Sequence, residues 1–269
     1  MFRLLILALV AFNLAACSSY FKRKDCENIN WFEHGKQVAL RGQWLNSDDT
    51  LLTCRKVEAK IDEVQLDQGF KAGMSEYCSA DKAYQVGKSG DNFSRDLCEG
   101  PSINSILARH AQGIRDYCSK ANSFNAGSSG KKYQNVCPAN LEKDFLPGYK
   151  RGRKKYVEAQ IKDKEDQRQQ LNYSIITTQS ELTVAQGALT NLQNQRNFLE
   201  TQRNGAMMMQ NSAMVGAYDA QINALTSDIS IKQMDVNSKQ SELDRIRDNQ
   251  SQLDKDISDF RSELPSLDE

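Results

Sequence analysis

The sequence predicts an all-α protein with a small disulfide-bonded head and a long coiled-coil arm. Six of the seven cysteines lie between residues 26 and 137, where an internal repeat contains four of them. From Val157 onward, apolar residues follow a heptad pattern, which is typical of coiled coils. The chain of 269 residues contains only four prolines, and 8% of its residues are aromatic, which favours helix over sheet.

Residues 1–16 have the pattern of a secretory signal peptide. Arg3 precedes an apolar run from Leu4 to Phe12, which is too short to span a bilayer because a span takes about 20 residues. The following Leu14-Ala15-Ala16-Cys17 resembles a bacterial lipobox. The resemblance implies cleavage before Cys17 and attachment of acyl chains such as palmitate to this residue.

Acylation of Cys17 would make lipid the anchor of the protein. Each buried methylene group contributes about 0.8 kcal/mol, so several acyl chains give a stable anchor. Ser18 and Ser19, and not an aspartate, follow the cysteine, which resembles the sorting pattern of outer-membrane lipoproteins. We therefore expect a protein of the cell outer membrane that faces the periplasm, with residues 17–25 as its linker.

The head is predicted to span residues 26–152 and to be held together by disulfides. An even number of cysteines in an exported domain is typical of a disulfide framework. The internal repeat covers about residues 69–98 and 109–137, and each copy contains Gly-x3-Tyr-Cys, two glycines between aromatic residues, and a final cysteine. If each copy closes on itself, the disulfides join Cys78 to Cys98, Cys118 to Cys137 and Cys26 to Cys54.

The head contains few residues of the kinds that catalysis or metal binding requires. His34 and His110 are the only histidines, and the cysteines lack the close spacing of zinc sites. Because no triad or metal site is visible, we expect no enzymatic activity, no cofactor and no metal. The alternative is an envelope hydrolase, or a module that binds a cell-wall ligand, in the cysteine-rich head.

A longer motif in the head resembles one family. Its positions are Cys26, Trp31, Gly35, Gly42, Cys54, Phe124, Gly127, Gly130, Tyr133, Cys137, Pro138, Phe145, Gly148, Tyr149, Gly152 and Arg153. Together they resemble the uncharacterised proteobacterial lipoproteins grouped as domain of unknown function 2799, over about residues 17–156. The chain departs from the family pattern by its second cysteine unit and by the lack of an acidic residue between Gly35 and Gly42. The resemblance implies a lipoprotein and supplies no activity.

Glycines at two spacings predict two different roles. Gly69-x3-Gly73 and Gly148-x3-Gly152 place bare backbone on one helix face, which favours the close approach of two helices. Gly87-x2-Gly90 and Gly127-x2-Gly130 are interpreted as turns that need positive φ angles. The aromatic residues beside them are expected to fill the core, and a peptide or glycan groove is the alternative.

The arm is predicted as two coiled-coil segments, residues 153–203 and 218–264, with a tail at 265–269. The two heptad runs would be roughly 65 and 70 Å long, and such near-equal lengths favour a helical hairpin. The alternative is a continuous oligomeric coiled coil about 160 Å long. Polar residues occupy seven heptad positions, namely Lys164, Arg168, Thr178, Arg196, Lys232, Lys239 and Gln250.

Residues 204–217 are predicted as a methionine-rich turn between the two segments. Asn204-Gly205 favours a turn at this place. The candidate interaction site at this tip consists of Met207, Met208, Met209 and Met214, because methionine side chains adapt to varied partner surfaces. The alternative is that the methionines only pack the bend.

The overall charge does not indicate a nucleic-acid partner. Lys and Arg together number 35, as do Asp and Glu. We therefore expect a non-enzymatic structural, tethering or protein-interaction role. The expected partners are the lipid bilayer, through the acyl chains on Cys17, and an envelope protein or a second copy of the chain, through the coiled coil.

Overall fold

The computed structural model describes residues 22–268, so the predicted signal peptide and the lipidation site Cys17 lie outside the described residues. Regular structure in the described part is helical and includes no strand, which confirms the all-α class. The chain separates into two compact units, residues 1–153 and 154–269, called here the head and the arm. Within residues 22–268, no helix is long and apolar enough to span a membrane.

The head consists of short helices that end with the beginning of a long one. Residues 22–27 form α1. Four helices begin after a side chain that accepts a backbone N–H three residues further on, which is why they start after Asn30, Asp48, Asp62 and Ser79. The elements after α1 are α2 (Trp31–Leu40), α3 (Asp49–Lys56), α4 (Glu63–Tyr77), α5 (Ala80–Lys88), α6 (Ile103–Tyr117), α7 (Lys120–Ser128) and α8 (Ala139–Met208).

Three disulfides hold the head together, and they are the pairs that the internal repeat predicts. Their Cα atoms are 5.4 to 5.6 Å apart, in the usual range for disulfides. Cys78 and Cys118 each lie at the junction of two consecutive helices. Each of these two bonds therefore fixes a helix junction to the loop that follows the next helix. The bonded pairs are Cys26–Cys54, Cys78–Cys98 and Cys118–Cys137.

The helices of the head form three consecutive pairs, α2 with α4, α5 with α6, and α7 with the first part of α8. The two helices of each pair cross at glycines, where a Cβ atom would lie closer than 3.0 Å to the backbone of the other helix. This is the close approach predicted for Gly69 and Gly152. The glycines at the three crossings are Gly35 with Gly69, Gly87 with Gly113, and Gly127 with Gly152.

The three helix pairs are copies of one unit. In each copy, the glycine of the first helix lies nine residues after a cysteine, and the glycine of the second helix lies fifteen residues after the disulfide partner of that cysteine. The sequence repeat predicted only the second and third copies. In the first copy, the glycine that ends the first helix comes seven residues after the crossing glycine instead of three, so α2 continues one turn further.

The prediction that Gly87 and Gly127 belong to turns is wrong. Both lie inside helices, α5 and α7, where they make the crossings. Gly90 and Gly130 have φ angles of 72° and 87° and end these helices, as predicted for turn positions. The Gly-x2-Gly pattern therefore combines one glycine for packing with one for the helix end.

The core of the head is divided into three clusters, two of which include residues of both α2 and α4, while the third is formed by α6, α7 and the first part of α8. Two of the four aromatic residues beside the turns contribute to it. Phe93 stacks on buried Tyr77 with 4.7 Å between ring centroids, and Tyr133 packs on buried Phe145 at 5.7 Å. Tyr84 and Phe124 lie outside the clusters: the Tyr84 hydroxyl bonds to Asp116 at 2.8 Å, and Phe124 is 40% exposed.

The arm is a helical hairpin formed by the rest of α8 and by α9 (Ser212–Glu263), which confirms the predicted fold-back. A short 3₁₀ helix, Leu264–Leu267, follows α9. Ion pairs along the hairpin show that the two helices run antiparallel. The pairs include Lys154–Asp268 at 2.5 Å, Lys164–Asp256 at 2.6 Å and Arg203–Asp219 at 2.5 Å.

Apolar heptad residues form the core of the hairpin, with Leu182 and Leu243 almost fully buried. Several of the polar heptad residues bond across the hairpin instead. These contacts are Arg168–Asp254 at 3.0 Å, Lys239–Glu181 at 2.5 Å and Gln250–Asn172 at 2.5 Å. Polar contacts at single heptad positions specify register, so these residues align α8 with α9.

The turn between α8 and α9 is shorter than the predicted segment 204–217 and consists of residues 209–211. Gln210 has a φ of 52°, and N–H groups of the turn return to the carbonyls of Met207 and Ala206, a common way to end a helix. The Asn211 side chain then caps α9 by accepting the N–H of Met214 at 3.2 Å. Asn204-Gly205 stays helical.

Candidate interaction sites

The tip of the hairpin carries exposed methionines on both sides of the 209–211 turn. Met207, Met208, Met209 and Met214 are 52, 87, 81 and 45% exposed, respectively. The two helices thus bring the four predicted residues into one short segment of the arm. The four side chains therefore expose apolar surface at this end of the hairpin.

The base of this tip is held in place by charged contacts. Arg203 on α8 pairs with Asp219 on α9 at 2.5 Å, and its guanidinium also lies 3.5 Å from the sulfur of Met207. Ala206 is buried beneath the turn. The methionines therefore project from an ordered helix end, which limits the entropy that a partner would have to remove.

Both histidines of the head make hydrogen bonds within it. Nε2 of His34 lies 2.8 Å from Oδ1 of Asp48, and Nε2 of His110 lies 2.8 Å from the carbonyl oxygen of Asp91. Residues 22–268 contain no group of three or more His, Cys, Asp or Glu side chains that could hold a metal ion.

Asp48 is the centre of a buried charge network at the start of α3. Its carboxylate accepts hydrogen bonds from the Leu51 N–H at 2.8 Å and from Arg41 at 3.2 Å, in addition to the contact with His34. Burial raises the pKa of Asp48. The Leu51 N–H, His34 and Arg41 together lower the pKa by a larger amount, so it lies below its ordinary value. The network thus holds α3 against α2.

Asp48→Asn is expected to destabilise the head at neutral pH, with a loss that shrinks in acid. The lowered pKa of Asp48 contributes stability that is present above the unfolded pKa of about 3.9 and is lost as pH falls through the folded pKa. Urea unfolding followed by tryptophan fluorescence at pH 7 and pH 3 measures this. An equal difference between variant and wild type at both pH values would contradict the role of the charge.

Two of the cavities on the described part of the head have volumes in the range of small-molecule sites. One of about 440 Å³ is lined mainly by polar side chains, including Arg41, Lys82 and Asp91, and the pair Lys131–Asp91 at 2.5 Å lies beside it. The other, of about 640 Å³, lies between residues 27–31 and 60–65. Its apolar lining consists of Ile29, Trp31, Ile61 and Val64.

Trp31 in the larger cavity has an unusual polar atom. The residue is only 4% exposed, and its Nε1–H has no hydrogen-bond acceptor among residues 22–268. An unpaired buried donor costs about 1–3 kcal/mol. The Nε1 atom has almost no accessible surface, so a ligand in the cavity would not reach this donor without movement of the Trp31 side chain.

These features define the class of the protein as an all-helical, disulfide-bonded head joined in sequence to a coiled-coil hairpin. Two stretches of the head, residues 30–110 and 101–154, match the model of the family described as protein of unknown function DUF2799. The matches support an uncharacterised domain family for this part of the chain. Neither the curated proteins nor the solved structures contain a match to the chain.

The unpaired Nε1–H of Trp31 could not be predicted from the sequence. The family motif includes Trp31, but the absence of an acceptor is a property of the folded surroundings. The Met-rich segment was found because four methionines stand within eight residues.

Proposed function

We propose that this protein is an outer-membrane lipoprotein without enzymatic activity that binds an envelope protein through the tip of its arm. The observation that carries the proposal is the exposure of the four methionines around the 209–211 turn. Flexible, polarizable methionine side chains suit surfaces that contact other proteins. The helical backbone of the hairpin is already ordered, so binding has to order only the methionine side chains.

The anchor in this proposal is the acylated Cys17, supported by the lipobox-like residues before it and by Ser18 and Ser19 after it. Three disulfides in the head suit the oxidising periplasm. The chain would thus work as a structural, tethering or docking protein at the membrane.

A photo-reactive amino acid at Met208 is expected to cross-link to one discrete envelope protein in the native host. The same residue placed at Gln240, which is exposed on the shaft of α9, serves as the control. The reason is that Met208 lies among four exposed methionines, whereas Gln240 is a polar residue of the shaft. The products are identified by mass spectrometry after ultraviolet irradiation of intact cells.

Replacement of Met207 and Met209 by glutamine in the chain that carries the probe should abolish this product. Met234→Gln changes a methionine of the shaft whose exposure, 61%, lies between those of Met207 and Met209. This variant should leave the cross-linked product intact. The proposal fails if the probe at 208 gives no product, or if 208 and 240 give the same products.

A second candidate function is ligand binding in the head, which the cavity between residues 27–31 and 60–65 favours. Its apolar wall of Ile29, Trp31, Ile61 and Val64 suits a ligand with an apolar group, such as a cell-wall fragment that carries one. Titration of the protein with peptidoglycan fragments, followed by NMR, tests this. Val64→Lys places a charge in the wall at an exposed position (66%) and should weaken binding; absence of shifts in the wild type would exclude this function.

A further inference from the structure

The outer face of α8 carries a second apolar stripe, opposite the core of the hairpin. Tyr173, Ile176, Val184 and Phe198 are 64, 67, 71 and 62% exposed. At about 100° per residue, these side chains fall within an arc of about 80°, and the core residue Leu182 lies about half a turn from its centre. One helix therefore has two apolar faces, and α9 covers only one of them.

The segment that carries the stripe is almost free of charge. From Gln169 to Gln195, Glu181 is the only charged residue, and it is paired with Lys239 on α9 at 2.5 Å. Residues 150–168, by contrast, are mostly charged. A solvated helix face normally carries charged residues, whereas the centres of protein interfaces are depleted of them. The composition therefore favours a covered face.

Gly187 lies on this stripe and has no packing role within the chain. A Cβ atom at this position would meet no heavy atom within 4 Å. Glycine in a helix interior is destabilising relative to alanine, and the hairpin gives Gly187, like Gly205 and Gly216, no contact that would require it. The close approach of another helix would explain it, as it does at the glycine crossings of the head.

The stripe has the same spacing when read in either direction. Its positions are 173, 176, 180, 184, 187, 191, 195 and 198. In a two-fold antiparallel pair of α8 helices, Tyr173 would face Phe198 of the second copy, and Val184 would face Gly187 of the second copy. The valine would then fill the space left by the glycine, on both sides of the axis, with an aromatic pair at each end.

We propose that the outer face of α8 binds a second copy of this chain in such an antiparallel pair. The match of Val184 with Gly187 and of Tyr173 with Phe198 argues for a second copy as the occupant. The other two facing pairs are Ser180 with Asn191 and Ile176 with Gln195. The stripe is about 38 Å long, and a single helix contact of this length is smaller than a standard interface of about 1,200–2,000 Å². The dimer is therefore reversible and dissociates on dilution.

The test is sedimentation velocity of the chain from residue 17 to 269 with Cys17→Ser, over a concentration series. The wild type is expected to dimerise with increasing concentration. Val184→Glu should weaken the dimer at least 10-fold, because it buries a charge at the axis. Gln186→Glu adds the same charge about a third of a turn from the centre of the stripe and should leave the dimer unchanged. Gly187→Ala should weaken the dimer without lowering the melting temperature of the monomer.

The register is tested by pulsed electron paramagnetic resonance with a spin label at Ser174, an exposed residue beside the stripe. The antiparallel pair places the two labelled positions about 35 Å apart along the helix axis. A label distance below about 20 Å would mean parallel pairing and would overturn the proposal. A chain that stays monomeric at all concentrations would overturn it too. The methionine tip is intact in these proteins, so either result leaves the tip proposal to its own test.

Discussion

Gly113→Ala is expected to lower the free energy of unfolding of the head by about 2–3 kcal/mol or more. A methyl group at this position would lie closer than 3.0 Å to the backbone of α5 at Tyr84 and Lys88. Backbone cannot rotate away as a side chain does, so the two helices would have to separate. Both tryptophans, Trp31 and Trp44, belong to the head, and their fluorescence during urea unfolding therefore measures its stability.

The matched control is Gly187→Ala at a concentration where the chain is monomeric. That glycine has no heavy atom within 4 Å of a built Cβ, so the helix propensity of alanine should stabilise the arm by up to about 1 kcal/mol. Far-ultraviolet circular dichroism follows the arm. If Gly113→Ala were as harmless as Gly187→Ala, the helix crossings would not be as close as described.

Removal of the third disulfide by Cys118→Ala with Cys137→Ala is expected to lower the stability of the head by about 3 kcal/mol. The bond closes a loop with a sequence separation of 19, and the open chain gains conformational freedom when unfolded. The loop also depends on Tyr133, whose hydroxyl donates to Glu142 at 2.7 Å and accepts the Cys137 N–H at 3.1 Å. Fluorescence-detected unfolding compares the double variant with wild type.

A reducing agent provides the control for this variant. It should lower the stability of the wild type by more than that of the variant, because the wild type has one more bond to lose. Titration of free thiols in unfolded, non-reduced protein with Cys17→Ser should find none. Free thiols, or equal stability of the two proteins in oxidising buffer, would contradict the disulfide framework.

The arm could be predicted from the sequence because heptad spacing is a local pattern that reports directly on a helix face. The hairpin was favoured by the similar lengths of the two runs, and the structure confirms it. The position of the turn was harder to predict from the sequence. Asn204-Gly205 looked like a turn, but the turn forms at residues 209–211 because Asn211 caps α9 and Gln210 adopts a positive φ.

In the head, the sequence predicted the disulfide pairs and two of three repeats. The first copy was not recognised as a repeat in the sequence. Because α2 has one additional turn, Gly42 lies further from Gly35 than Gly90 lies from Gly87. The structure recovers the match through the helix crossing, where Gly35 meets α4 as Gly87 meets α6. The helix crossings are therefore the same in all three copies, although the glycine spacing in the sequence differs in the first copy.

Surfaces were the least predictable part of the molecule. The tip methionines stand out in the sequence, but the apolar stripe on α8 does not, because its residues alternate with the heptad residues of the core. Only the structure shows which apolar residues α9 covers and that Val184 and Phe198 stay exposed. The same holds for the unpaired donor of Trp31.

Lipid anchoring at Cys17 can be measured as the intact mass of the chain purified from membranes of its native host. We expect a chain that begins at Cys17 and carries the additional mass of diacylglyceryl and acyl groups on that residue, with the Cys17→Ser variant released from the membrane fraction. A chain that retains residues 1–16, or one that begins at an unmodified Cys17, would contradict it.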